Sequence, residues 1–116
     1  MGRPHVATLL GFIPSAWSHA FIDQADPAVS SKLSSSPGVE KIWFTERLEP
    51  ALSKIQVFDS RGSEVDKRDT KVERANVRLL IVSLHVIKAG KYRVTWRVVS
   101  VDTHVRNGSS EFEITE

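Results

Sequence analysis

This sequence has no cysteine. Disulfides, thiolate metal sites and cysteine nucleophiles are excluded together. No apolar run approaches the roughly 20 residues that a membrane-crossing helix needs. An excess of one charge is missing too. Sixteen Lys and Arg stand against 14 Asp and Glu, for a net charge of +2, and the basic residues are scattered among the acids. That describes a solvated mixed surface and no nucleic-acid partner. No Ser-His-Asp nucleophile arrangement, phosphate-binding loop or nucleotide motif is visible.

What is present is enough for one domain. The chain has 116 residues, 41% apolar and 26% charged, ordinary values for a globular protein with one modest core. Short β-patterned runs recur along it. Val39 to Phe44 reads as a strand, with Ile42, Trp43 and Phe44 bulky and β-favouring. Leu52 to Phe58 reads as the next, and Phe21-Ile22 as a short first one. Asp59-Ser60-Arg61-Gly62 is a hairpin-type turn. Glu64 to Asn76 is dense in charge and reads as an exposed loop or ragged edge strands. Val77 to Leu84 is a short apolar run that fits a buried strand.

The cleanest alternation follows Ala89-Gly90. Tyr92, Val94, Trp96 and Val98 share one face; Arg93, Thr95, Arg97 and Val99 share the other. Asn107-Gly108 reads as a turn, and Ser109 to Thr115 as the last strand. About seven short strands with turns between them and no convincing helix predict an all-β fold, a single immunoglobulin-like Greek-key sandwich. Tyr92 stands where such sandwiches place a tyrosine corner. Trp43 and Trp96 are expected in the core.

One stretch carries chemistry. In Val98-Val99-Ser100-Val101-Asp102-Thr103-His104-Val105 a carboxylate and an imidazole stand two residues apart. In extended chain, residues i and i+2 point to the same side, so Asp102 and His104 could address one point in space. An oxygen donor beside an imidazole nitrogen suits a borderline divalent ion such as Cu(II). A third ligand is suggested by the N-terminus. Residues 1–18 carry Arg3 and His5, a short apolar stretch, and the small-x-small ending Ala16-Trp17-Ser18, the pattern of a secretory signal peptide. Cleavage after Ser18 would leave residues 19–116 as the domain, with His19 first. An N-terminal histidine offers its ring and its free amine, whose pKa of about 7.7–8.0 lets a metal displace the proton at modest cost. His85 reads as a surface residue.

Three segments together resemble a known family. They are His19-Ala20 after a cleavable leader, then Trp43-Phe44-Thr45-Glu46-Arg47-Leu48-Glu49-Pro50, then Gly90-Lys91-Tyr92-Arg93-Val94-Thr95-Trp96-Arg97-Val98-Val99-Ser100-Val101-Asp102-Thr103-His104. They look like the periplasmic copper resistance protein C (CopC) family of small β-sandwich copper carriers. The resemblance implies one mononuclear Cu(II) per chain, held by the amine and imidazole of His19, the carboxylate of Asp102 and the imidazole of His104. Glu46 would orient a ligand or water beside it. It also implies a periplasmic, non-enzymatic and monomeric carrier whose partners are the copper ion and an inner-membrane copper transporter. Some members carry a methionine-rich Cu(I) site; Met1 is the only methionine here, so that site is absent. Many have a second histidine where this chain has Phe21. Two other readings stay open from the residues themselves. One is a copper-dependent oxidative enzyme with an N-terminal histidine site, and the other a metal-free immunoglobulin-like interaction module.

Overall fold

The computed structural model describes residues 22–116, so the leader (1–18) and His19 lie outside the described residues. Eight strands and one 3-10 turn follow in order. They are β1 (Ile22–Asp26), β2 (Ser31–Leu33), β3 (Val39–Phe44), the turn Pro50–Leu52, β4 (Lys54–Phe58), β5 (Lys71–Glu73), β6 (Asn76–Ser83), β7 (Gly90–Val99) and β8 (Val105–Ile114). They form two four-stranded sheets, ordered β1-β3-β6-β5 and β2-β8-β7-β4. The pairings are antiparallel except for β2 with β8, which is parallel. The all-β sandwich expectation holds.

Each sheet turns one face inward because its strands alternate. In β7, Tyr92, Val94, Trp96 and Val98 are buried while Lys91, Arg93 and Arg97 are exposed. In β4, Ile55 and Val57 are fully buried. Across the sandwich they meet Ile42, Phe44, Leu80 and Val82. The Phe44 and Trp96 rings meet edge-on, with centroids 6.3 Å apart. Each such side chain taken from water stabilises the fold by about 1.5–3 kcal/mol before chain entropy is counted. Tyr92 forms the expected tyrosine corner: its hydroxyl donates to the carbonyl of Lys88 at 2.6 Å, and its ring stacks on Phe112. The charged stretch after Gly62 supplies only the short edge strand β5, and Asp66 is its one buried acid, accepting from the Val57 amide at 2.8 Å.

Three sequence expectations are corrected. Trp43 is half-buried on the outward face of β3, because the period of two carries Glu40, Ile42 and Phe44 inward. The strand read over Leu52 to Phe58 begins at Lys54; Pro50, which has no amide hydrogen to give a ladder, opens a 3-10 turn before it. Asn107-Gly108 is no turn. Asn107 pairs with Arg97 and Gly108 with Trp96, inside an unbroken ladder from Gly90↔Ile114 to Val99↔Val105. A reversal at Asn107 would leave the second half of β7 without a partner on that side. The chain instead turns at Ser100–His104, where Thr103 takes a positive φ of 72°.

Candidate metal centre

The turn between β7 and β8 therefore carries both Asp102 and His104. They are not on extended chain, as their spacing suggested, yet the turn brings them together. Ser100, fully buried, is the pivot. Its hydroxyl donates to Asp102 Oδ1 and accepts from the His104 amide at 3.1 Å. Its own amide donates to the His104 carbonyl at 2.9 Å, and its carbonyl accepts from the Thr103 amide at 2.9 Å. His104 Nδ1 lies 3.5 Å from Asp102 Oδ1. The Ser100 hydroxyl, more than any other group, holds the Asp102 carboxyl below its ordinary range, and the neighbouring His104 adds to this. Nothing in residue type alone marks Ser100 as part of the site. Its signal was its position two residues before Asp102.

A second loop delivers a third side chain. The chain leaves β3 at Phe44 and crosses through Thr45–Glu49 to the 3-10 turn. Leu48, 2% exposed, plugs this loop into the core. The Leu48 amide donates to the Val77 carbonyl at 3.0 Å, the Glu49 amide to Val99 at 2.8 Å, and the Val101 amide to Arg47 at 2.9 Å. Leu48 also forms an isolated bridge with Ser100. So held, Glu46 reaches the hairpin, with Oε1 3.6 Å from His104 Nδ1.

Glu46, Asp102 and His104 each offer one ligand atom, and these atoms lie within 4.8 Å of one another. His104 and Asp102 are open to solvent; Glu46 is half-buried. Glu46 Oε1 is buried and accepts no hydrogen bond among the described residues. A buried carboxylate oxygen without a hydrogen bond is costly, and a cation would satisfy it. Two carboxylates and an imidazole, with no sulfur, fit a borderline or hard divalent ion. The structure thus brings Asp102 and His104 together, as read from sequence, and sets the Glu46 carboxylate among them. His19 lies outside the described residues. His85 is exposed in the connection between β6 and β7, far from this end.

Comparison with known proteins gives the family of the chain. The CopC domain model matches residues 22–115. Copper transport protein CutJ of Bacillus subtilis (strain 168) is 33% identical over 107 residues, covering 90% of this chain; the chain spans only 20% of that relative's length. Copper resistance protein C of Xanthomonas campestris pv. juglandis is 32% identical over 106 residues, covering 86% of this chain and 83% of the relative. The crystal structure of CopC from Methylosinus trichosporium OB3b superposes with a TM-score of 0.76 at 32% identity, over 81% of this chain and 91% of that one. A β-sandwich with its loops tied at one end, and a family match spanning nearly all the described residues, lead to one conclusion: this chain belongs to the CopC family.

Proposed function

We propose that this protein is an exported Cu(II) carrier that works in the periplasm as a monomer, and that it holds one ion at the Glu46, Asp102 and His104 end of the sandwich. The juxtaposition of those three side chains, with Glu46 Oε1 buried and without a hydrogen bond among the described residues, is the observation that carries the reading. His104 supplies an imidazole nitrogen and Asp102 a carboxylate oxygen. Glu46 supplies a second carboxylate oxygen to the same ion, a closer role than the orienting one expected from sequence. Family membership supports copper as the cargo.

Removal of residues 1–18 makes His19 the first residue, and its amine and ring complete the donor set. Strand pairing supports this. Ile22 pairs with Phe44, two residues before Glu46, so β1 starts at the metal end. Two residues, Ala20 and Phe21, stand between His19 and Ile22, and three residue steps of extended chain span at most roughly 10 Å. Nitrogen and oxygen donors without sulfur favour the oxidised ion, which suits holding and passing copper rather than redox turnover. A larger copper transport protein contains a region similar to this chain, which supports an inner-membrane copper transporter as the partner.

The test is electron paramagnetic resonance of the chain cut to begin at His19, with one equivalent of Cu(II), beside the uncut chain and the His104→Ala and Asp102→Ala variants. The expected result is an axial signal with nitrogen couplings in the cut protein, altered in the uncut chain and in both variants. Solvent-like copper in all four samples would refute the assignment. Identical spectra from cut and uncut chains would remove the His19 amine from the ligand set.

A further inference from the structure

Among the described residues, five large hydrophobic side chains are exposed: Leu52, Val77, Val86, Val101 and Val105. Val86 stands alone at the far end, in the connection between β6 and β7. The other four lie at the metal end, Val101 and Val105 on the β7–β8 hairpin with Leu52 on the neighbouring turn, and Val77 on the outward face of β6. Val101 donates its amide to Arg47, the neighbour of Glu46, and Val77 accepts from Leu48. Val105 pairs with Val99, whose carbonyl accepts from Glu49. Leu52 closes the 3-10 turn that packs on β7. Apolar side chains scattered singly over a surface mean little, but a cluster rimmed by polar groups marks an interaction site.

The charge around this rim has a sign. Arg47, Arg74 and Arg78 are exposed and Arg106 is half-exposed on the same loops and strand ends. The acids there are Glu46, Asp102, Glu49, Glu73 and, beside Ile22 at the start of β1, Asp23. A divalent ion on Glu46 and Asp102 offsets their two charges. Four arginines then stand against three acids, Glu49, Glu73 and Asp23, and the loaded rim is basic.

We propose that this apolar, basic-edged rim is the docking surface for a protein that exchanges copper with this one, a partner presenting an apolar patch flanked by carboxylates. The inference rests on the copper reading above and adds the partner's chemistry. Placing the rim around the ligands lets the partner exclude water from the site while it contributes its own donor to the ion. A second copy fits worse, since a two-fold contact would set rim against rim and arginine against arginine. A lipid surface also fits worse: three valines and one leucine, with no aromatic among them, anchor weakly in a bilayer.

The experiment places the photoreactive residue p-benzoylphenylalanine at Val101, or at Val86 as the far-end control, in the full chain produced in its own host with copper supplied. The expected result is a cross-link at Val101, absent at Val86, to a different protein. The linked peptide, identified by mass spectrometry, contains apolar residues flanked by Asp or Glu. Arg47→Glu combined with Arg78→Glu lowers its yield at least fivefold. A cross-link to a second copy, to lipid or to this chain's own first residues overturns the proposal. So does a yield at Val101 no greater than at Val86, a linked peptide without carboxylates, or indifference to the charge reversal. Cu(II) resonance spectra of the parent and the double variant are taken alongside. A parent that binds no copper overturns the copper reading itself. Normal copper spectra in both, without a charge-sensitive cross-link, overturn the docking alone.

Discussion

At the scale of single residues, two buried polar groups have opposite meanings. Ser100 is fully satisfied, and its hydroxyl couples Asp102 to the His104 backbone. Replacing it by alanine removes both bonds and leaves the turn without its pivot. Ser100→Ala is expected to cost about 1–2 kcal/mol of stability in urea denaturation. On the proposed copper reading it also weakens Cu(II) binding severalfold, although Ser100 touches no metal. Equal copper affinity in the variant would show that the turn holds its shape without the hydroxyl. Glu40 is the contrary case. It points into the core, 1% exposed, and neither carboxylate oxygen finds a partner among the described residues. Burial, with a smaller contribution from Asp26, pushes its pKa from 4.5 up to about 9. The unfolded chain gives up that proton near pH 4.5 and the folded chain only near 9, so the folded state binds more protons between them. Stability therefore falls as pH rises through that window, by at most about 1.4 kcal/mol per unit from this group. Glu40→Gln is expected to flatten the fall and to be the more stable protein at pH 8, with little difference near pH 4. Parallel stability profiles for the two proteins would contradict this.

At the scale of elements, the β7–β8 hairpin and the tyrosine corner are the parts to test. Thr103 is a β-branched residue held at φ 72°, a conformation that costs such side chains about 1 kcal/mol or more. Glycine adopts it freely, at some cost in unfolded-state entropy. Thr103→Gly is expected to change stability by no more than a few tenths of a kcal/mol in the unfavourable direction, or to raise it by up to ~1 kcal/mol. Thr103→Val keeps the branching and gains nothing; a glycine variant less stable than the valine variant would argue against strain. Tyr92→Phe keeps the ring on Phe112 and loses only the bond to Lys88; a loss of about 1–2 kcal/mol in thermal or urea unfolding is expected. Both strands of the hairpin were partly legible. The alternation from Tyr92 to Val98 is unambiguous because one face must be buried and the other wet. The start of β8 was not legible, because Asn107-Gly108 carries a strong local turn preference that ten paired residues override. Trp43 misled in the same way: bulk suggested the core, but register set the direction of its side chain.

At the scale of the whole molecule, the sandwich is a clamp for two loops that are distant in sequence. Leu48 is buried in the core, and its bridge to Ser100 ties the loop after β3 to the loop after β7. A ligand that binds only this assembled arrangement stabilises the fold by mass action. Cu(II) at a hundredfold excess over its dissociation constant is expected to add about 2.7 kcal/mol, read as a rise in Tm of the chain beginning at His19. The His104→Ala protein is expected to show no such rise. An equal rise in both would place the ion elsewhere.

The sequence by itself determined the fold class, most of the strands, the inward face of β7, and the pairing of Asp102 with His104. These depend on neighbours in the chain and on a period of two, and both can be read along a line. The resemblance to the CopC family was likewise carried by contiguous motifs. Only the tertiary structure decided where β8 begins, that Glu40 lies in the core, and that Glu46 stands within reach of His104. It also decided that four exposed apolar side chains share one end. Those facts depend on register between strands and on two loops meeting across a sandwich, and no local preference encodes a distance between residues more than fifty positions apart.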